Sequence, residues 1–160
     1  GVCGVDHLNE SLQEMIHGEK VPEGTKFLSG DKVMQTRNDY EKGVYNGDVG
    51  IVWTATPQKV FVRYFDKEVT YEGEERFDLR LAYAVTVHKS QGSEYETVIF
   101  ILRPSQHNML QRNLLYTGVT RARKNTILVT APDALRRALA IQHTGNRYSL
   151  FLPFLNHEAL

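Results

Sequence analysis

Two continuous apolar, β-branched runs with a helical pattern between them constrain the fold of this chain most. Residues 97–102 and 126–129 have the composition of buried strands, and residues 110–121 carry leucines at helical spacing. A further helix is predicted over 132–141, where a proline suits the first turn. Helices that alternate with continuously apolar strands indicate a parallel sheet covered on both faces. We therefore predict an α/β fold for this part of the chain.

Short alternating segments separated by tight turns precede that part. Asn46-Gly47 is a strong hairpin signal because these residues tolerate a positive φ, and short strands are predicted over 48–54, 59–65 and 68–71. No helical pattern interrupts them, which is typical of a small barrel or meander. We predict an inserted SH3-like β unit over residues 45–80.

The segment before this unit carries its own pattern. An amphipathic helix with an apolar face is predicted over 6–17, and its apolar residues are Val5, Leu8, Leu12, Met15 and Ile16. Two short strands are predicted after it, over 27–28 and 32–35, separated by a turn composition.

Composition excludes several functional classes. The 160 residues fit one domain with a small insertion, and the equal numbers of basic and acidic residues, 19 each, leave no net positive field. Any contact with nucleic acid must therefore come from a local patch. The lone Cys3 and six scattered histidines lack metal-binding spacing. No run approaches the ~18 apolar residues of a membrane span, and no signal peptide pattern opens the chain. We expect a reduced, cytoplasmic domain.

Two polar clusters lie beside the predicted strands. The first spans 86–94 and combines hydroxyls, cations and Gly92, groups that could hold a phosphate or a nucleic-acid backbone. It could equally be a polar loop next to a capped helix, and a helix could start over 84–89. The second spans 114–124 and places three cations in the last turn of a predicted helix. Compensation of the helix dipole would explain those cations by itself.

Taken together, the two clusters resemble the late motifs of superfamily 1 helicases. The residues that match motif V are Thr86, His88, Gly92 and Glu94. The residues that match motif VI are Tyr116, Thr120, Arg121 and Ala122. The sequence is most similar to the RecD-like branch, the exodeoxyribonuclease V alpha-subunit family, and the runs at 30–35 and 46–50 support this. The resemblance covers residues 1–130 approximately.

The resemblance implies a fold and a domain organisation. RecD-like helicases have two RecA-like motor lobes with ATP between them, and the second lobe carries an SH3-like insertion. We therefore expect a RecA-like, P-loop NTPase-type lobe made of residues 1–44 and 81–145, with the inserted SH3-like barrel at 45–80 and a C-terminal tail at 146–160.

The resemblance also implies roles for single residues. The expected DNA-binding residues are Thr86, His88, Lys89 and Ser90. The expected ATP-binding residues are Gly92, Glu94 and Arg121, with Glu94 near the ribose. Arg121 is also the expected catalytic residue, because a permanently charged guanidinium stabilises the negative charge that develops on the γ-phosphate.

Other parts of such a motor are missing from the sequence. No G-x-x-x-x-G-K-[ST] pattern occurs, and no Asp-Glu pair follows an apolar strand. We therefore expect ATP and Mg²⁺ to be cofactors of a full-length parent, and expect this fragment alone to hold neither and to hydrolyse no ATP. The expected partners are single-stranded DNA, a missing N-terminal motor lobe and other exonuclease V subunits, with no membrane.

Two alternatives stay open. The chain could be a non-enzymatic nucleic-acid-binding module whose basic and aromatic surface consists of Trp53, Lys59, Arg63 and Tyr64. We nevertheless expect Trp53 to lie in the core of the β unit. The chain could also be the equivalent lobe of an RNA helicase or of a conjugative relaxase-helicase, because no residue here reads a 2′-hydroxyl unambiguously.

Overall fold

The computed structural model describes residues 4–18, 21, 24–103 and 112–140. The chain divides into two compact units, Gly1–Ser90 and Gln91–Leu160. Within the described ranges, no helix is long and apolar enough to cross a membrane. The predicted tail at 146–160, and the helix residues predicted at 110–111 and 141, lie outside the described residues.

The first unit contains a five-stranded antiparallel sheet preceded by a helix. Its elements are α1 (Val5–His17), β1 (Lys32–Gln35), β2 (Val49–Ala55), β3 (Lys59–Arg63), β4 (Glu68–Glu72), a 3₁₀ helix (Gly73–Asp78) and β5 (Leu79–Leu81). The strands are hydrogen-bonded in the order β4-β3-β2-β1-β5. The sheet thus includes β1, which precedes the predicted β unit; the domain limits stay a prediction.

Alternation of side chains builds the core of this unit. Along β3, Val60 and Val62 are buried while Lys59 and Arg63 are exposed, as expected when successive residues point to opposite faces of a sheet. The buried cluster consists of Phe27, Val33, Val44, Val52, Val60, Val62, Tyr64, Val69, Tyr71 and Leu79. The predicted strands over 48–54, 59–65 and 68–71 are therefore present, with ends that differ by one or two residues.

Two tyrosines carry polar atoms into this core. The hydroxyls of Tyr64 and Tyr71 lie 2.7 Å apart, and the Tyr71 hydroxyl donates to Gln35 Oε1 at 2.9 Å. Burial raises the pKa of both tyrosines, which keeps their hydroxyls protonated. Because each buried group has a hydrogen-bond partner, the core avoids the penalty of an unsatisfied polar atom.

The helix α1 packs with a polar stripe, and the prediction of a simple apolar face is wrong. Its buried residues are Asn9 and Gln13, whereas Met15 and Ile16 are 75% and 58% exposed. Spacing by four residues places Asn9, Gln13 and His17 on one helix face. That face meets hydrogen-bonding partners in the rest of the unit, which is why polar residues occupy it.

Two further predictions for the first unit are wrong. Residues 27–28 form no strand and lead into a turn at 29–30, where the Leu28 N–H donates to Asp31 Oδ2 at 2.7 Å and the Asp31 N–H donates to Leu28 O at 3.1 Å. Trp53 is 59% exposed instead of buried. Along β2, Gly50 and Val52 are buried whereas Ile51 and Trp53 are exposed, so Trp53 lies on the outward face of the alternating strand.

The second unit is an α/β arrangement with a parallel strand pair. Its described elements are β6 (Tyr95–Leu102), α2 (Arg112–Val119), β7 (Ala122–Thr130) and α3 (Pro132–Ala140). β6 and β7 pair in parallel, as predicted. Phe100 and Leu102 are buried on one face, but Ile99, Ile127 and Val129 on the described strands are 50–63% exposed. In the described part, the sheet is therefore not covered on both faces as predicted.

We expect Gly50→Ala to destabilise the first unit by roughly 1–3 kcal/mol. A Cβ at this position would lie 2.5 Å from Val62 Cγ1 and 3.0 Å from the Arg63 carbonyl oxygen. Urea denaturation of the chain measures the free energy of unfolding. Because Val62→Ala removes one clashing atom, Gly50→Ala and Val62→Ala combined should cost less than the sum of the single changes. Simple additivity would contradict this explanation.

Candidate functional site

The residues predicted to contact DNA lie on a turn that follows β5. Thr86, His88 and Lys89 are exposed, and the Lys89 N–H donates to the Thr86 hydroxyl oxygen at 3.3 Å. Ser90 is 7% exposed, and its hydroxyl donates to Val87 O at 2.8 Å. The first three side chains thus share one short surface turn, whereas the fourth is turned inward.

The helix predicted over 84–89 does not form. Asn9 Nδ2 donates to the Ala84 carbonyl at 2.9 Å, and the Ala84 N–H donates to Asn9 Oδ1 at 2.8 Å. The carbonyl that would accept the first helical hydrogen bond is therefore bonded to a side chain instead. A single hydrogen bond from the Ser90 N–H to Thr86 O, at 3.1 Å, closes one turn.

The residues predicted to contact ATP lie in the second unit, where β6 begins and α2 ends. The Tyr95 N–H donates to the Arg121 carbonyl at 2.8 Å and joins these two segments. Glu94 and Arg121 are thereby held on adjacent lengths of backbone. Gly92 is exposed and has a φ of +87°, a conformation that glycine adopts without strain.

The Arg121 guanidinium is held by two backbone carbonyls. Its Nε donates to Thr117 O at 3.2 Å, in the last turn of α2, and its Nη1 donates to Ser93 O at 3.3 Å. Across residues 24–103 and 112–140, no carboxylate forms an ion pair with it. The contact with Thr117 is favourable for the dipole of α2, and the positive charge is left without an anionic neighbour in this part of the chain.

The neighbouring cations contact acidic side chains on β6 and just before it. Arg123 Nε lies 2.7 Å from Glu94 Oε2, and Lys124 Nζ lies 2.6 Å from Glu96 Oε1. All four side chains are more than half exposed. Exposed ion pairs contribute about 0–1 kcal/mol, so Glu94 can exchange its contact with Arg123 for another partner at low cost.

Close packing between α2 and β6 fixes this geometry. Gly118 is buried against the Phe100 ring, where a Cβ would lie 2.4 Å from Cε2. Only glycine allows the helix to approach the strand so closely. The carbonyl of Thr117, which binds Arg121, belongs to the same turn of the helix and is positioned by this contact.

Sequence reasoning missed three residues of this arrangement: Asn9, Asp31 and Arg123. The spacing of Asn9, Gln13 and His17 was a readable signal for a polar helix face. No local signal marks the contacts of Asp31 with Gln13, His17 and Tyr83, because these partners come from separate segments. In the described ranges, no group of three or more His, Cys, Asp or Glu residues is arranged to hold a metal ion.

Two family descriptions match this chain in consecutive regions. The ATP-dependent RecD-like DNA helicase SH3 domain matches residues 8–64. The UvrD-like helicase C-terminal domain matches residues 81–129, which contain both polar clusters. The two matches occur in the order that the resemblance to RecD-like helicases implies.

Curated relatives extend the similarity over most of the chain. The ATP-dependent RecD2 DNA helicase of Deinococcus radiodurans is 38% identical over 154 residues, which are 94% of this chain and 21% of that protein. The RecBCD enzyme subunit RecD of Mycolicibacterium smegmatis is 36% identical over 156 residues, 94% of this chain and 27% of that protein. The chain thus spans about a quarter of the length of these relatives.

Solved structures of Pif1 helicases show the same fold. A Bacteroides Pif1 in complex with ADP-AlF3 and single-stranded DNA aligns with a TM-score of 0.59 at 24% identity, covering 87% of this chain and 37% of the Pif1 chain. A structure of two coordinating Pif1 helicases at forked DNA aligns with a TM-score of 0.52 at 25% identity, covering 73% and 34%. Together with the SH3 match, these confirm the predicted fold class of a RecA-like lobe with an SH3-like barrel.

We expect Gly118→Ala to destabilise the second unit by roughly 1–3 kcal/mol, because its Cβ would overlap the Phe100 ring. The displaced helix should also loosen the contact between Arg121 and Ser93. Hydrogen exchange of the β6 amides and thermal unfolding of the chain measure these effects. Thr117→Ala, one residue away, adds no atoms and serves as the control. Equal exchange rates in the two variants would contradict the role of this contact.

Proposed function

Because this chain belongs to the RecD-like family of superfamily 1 DNA helicases and matches its C-terminal domains, we propose that it forms the C-terminal motor lobe of an ATP-dependent DNA helicase. In this function it contributes contacts with single-stranded DNA and an arginine that senses the γ-phosphate. ATP hydrolysis in a cleft shared with the N-terminal lobe would then drive translocation and unwinding.

The observation that carries the proposal is the set of contacts made by the Arg121 guanidinium. Its guanidinium is oriented by two carbonyls and meets no carboxylate among the described residues, so its charge is available to an anion. Phosphoryl transfer places negative charge on the γ-phosphate oxygens, and a fixed guanidinium stabilises that charge. Glu94, on the adjacent backbone, has an exposed carboxylate that can accept a hydrogen bond from a ribose hydroxyl.

The turn at 86–89 supplies the proposed strand contacts. Exposed Thr86, His88 and Lys89 present a hydroxyl, an imidazole and an ammonium group, all of which suit phosphate and sugar contacts. Such contacts follow the backbone of a strand without reading its sequence. A translocating motor needs that property, because it must step along any sequence.

The remaining chemistry belongs to the proposed full-length parent. A phosphate-binding loop and Mg²⁺ ligands are absent from this sequence, so ATP and Mg²⁺ would be held mainly by the N-terminal lobe. The chain by itself is therefore expected to hydrolyse no ATP. Relatives named as RecBCD subunits support other exonuclease V subunits as candidate partners, and a cytoplasmic location accords with this role.

In the full-length parent, we expect Arg121→Ala to lower the rate of DNA-stimulated ATP hydrolysis by roughly 10³–10⁵-fold. Binding of single-stranded DNA should be largely unchanged, because Arg121 lies at the nucleotide and not on the strand-binding turn. Steady-state ATPase assays and fluorescence anisotropy with a labelled oligonucleotide measure the two quantities. Arg136→Ala, which removes an exposed cation from α3, is the control. Unchanged hydrolysis in Arg121→Ala would refute the proposal.

The surface of the barrel favours a second candidate, the non-enzymatic binding module. Exposed Trp53 has the Arg63 guanidinium over its ring, with Cζ 4.4 Å from the ring centroid. Glu68 holds Arg63 in place through an Nη2–Oε1 contact of 2.7 Å. A rigid exposed indole of this kind is suited to stacking on an unpaired base. Tyr64 is buried, however, and Lys59 pairs with Glu72 at 2.6 Å, so the predicted surface is smaller than expected.

Fluorescence of Trp53 distinguishes the two candidates, because the chain has a single tryptophan. If the barrel is the main binding surface, single-stranded DNA should quench this fluorescence, and Trp53→Ala should cost about 1–3 kcal/mol of binding energy, the value of one stacked base. If the turn at 86–89 is the main surface, binding should leave the fluorescence unchanged and should weaken in His88→Ala. Phe65→Ala, which removes a fully exposed ring elsewhere on the barrel, is the control.

A further inference from the structure

Two hydrogen-bonding side chains fix the backbone that leads into the proposed strand-binding turn. Asn9 of α1 holds both the carbonyl and the N–H of Ala84, at 2.9 and 2.8 Å. The Tyr83 hydroxyl donates to Asp31 Oδ1 at 2.8 Å. Residues 83–84 are therefore attached to α1 and to the turn before β1 by three hydrogen bonds.

Asp31 joins these attachments into one network. Its carboxylate is 0% exposed, and its Oδ2 accepts from the Leu28 N–H at 2.7 Å and from Gln13 Nε2. His17 Nε2 lies 2.8 Å from Oδ1, the oxygen that also accepts from Tyr83. One carboxylate thus connects two residues of α1, the turn before β1, and the segment ahead of Thr86.

The chemistry of this network favours positioning over simple stabilisation. An apolar helix face would bury α1 without requiring a defined orientation, since hydrophobic contact is not directional. Hydrogen bonds require defined distances and angles, and a buried polar group that loses its partner is costly. Asn9 is 3% exposed and Gln13 is 2% exposed, so both depend on these partners.

We infer that Asn9, Asp31 and Tyr83 are positioning residues for strand binding: they hold residues 83–84 so that Thr86, His88 and Lys89 reach the DNA backbone together. This inference rests on the proposed function, because it assigns a purpose to the geometry of the same turn. It adds residues that lie outside both polar clusters and act through the position of the turn. It also gives α1 a role beyond covering the sheet.

The protonation of Tyr83 suits this role. Burial, followed by the hydrogen bond to the Asp31 carboxylate, raises the pKa of Tyr83 to about 12. The hydroxyl therefore remains a donor throughout the neutral range.

The test compares Tyr83→Phe with Tyr71→Phe, which each remove one hydrogen-bonded hydroxyl from the same unit, and adds Asn9→Ala. In the full-length parent, Tyr83→Phe and Asn9→Ala should raise the DNA concentration needed for half-maximal ATPase stimulation by about three- to tenfold, the range of a lost hydrogen bond. The KM for ATP and the rate at saturating DNA should be unaffected. Tyr71→Phe removes a hydroxyl that bonds only within the barrel core, to Tyr64 and Gln35, and should leave the DNA dependence unchanged.

Thermal unfolding of each variant separates positioning from stability. The inference holds if Tyr83→Phe weakens DNA binding more than Tyr71→Phe at comparable loss of stability. It is overturned if the two variants have the same DNA dependence.

His88→Ala tests the underlying function: unchanged DNA affinity in that variant overturns the proposed contacts together with this inference. Weakened affinity in His88→Ala with none in Tyr83→Phe or Asn9→Ala overturns the inference alone.

Discussion

The Asp31 carboxylate is fully buried, and a buried carboxylate is tolerated only when hydrogen-bond donors surround it. Its donors come from its own turn and from two separate segments, α1 and the residue Tyr83, which lies 52 positions further along the chain. Those segments must assemble together, because any one of them alone would leave the charge unsatisfied. The position of α1 on the barrel and the path of the chain into residues 86–89 both depend on this condition.

In the second unit, close packing fixes the positions of the segments, and no buried carboxylate is involved in the described part. Gly118 lets α2 approach Phe100 closely, and the parallel register of β6 with β7 joins the residues before β6 to those after α2. Arg121 is thereby oriented through carbonyls of both segments. Carbonyl contacts orient a guanidinium without neutralising it, which is what a residue aimed at a phosphate requires. The proposed nucleotide contacts therefore follow from backbone geometry.

Local patterns predicted most of the elements correctly because their causes are local. Alternating valines place β3, the Asn-Gly turn precedes β2, and apolar β-branched runs place β6 and β7. The failures have non-local causes. The helix over 84–89 is prevented by Asn9, which lies 75 residues away from Ala84. Alternation along β2 does not say which of its two faces is buried, and the folded sheet buries Gly50 and Val52 and exposes Ile51 and Trp53. The ion pair of Arg123 with Glu94 was not predicted, because the two residues are close only in the folded chain.

The sequence by itself determined the class of this protein: two polar clusters of helicase type, a parallel strand pair, and a small β barrel. Motif residues and hydrophobic periodicity are properties of neighbouring positions, so they can be read without coordinates. The tertiary structure alone decided which polar side chains are buried, which cation faces a carboxylate, and which backbone is fixed ahead of the strand-binding turn. Hydrogen bonds and ion pairs act over a few ångströms in space, whatever the separation along the chain, and only folding brings such partners within that distance.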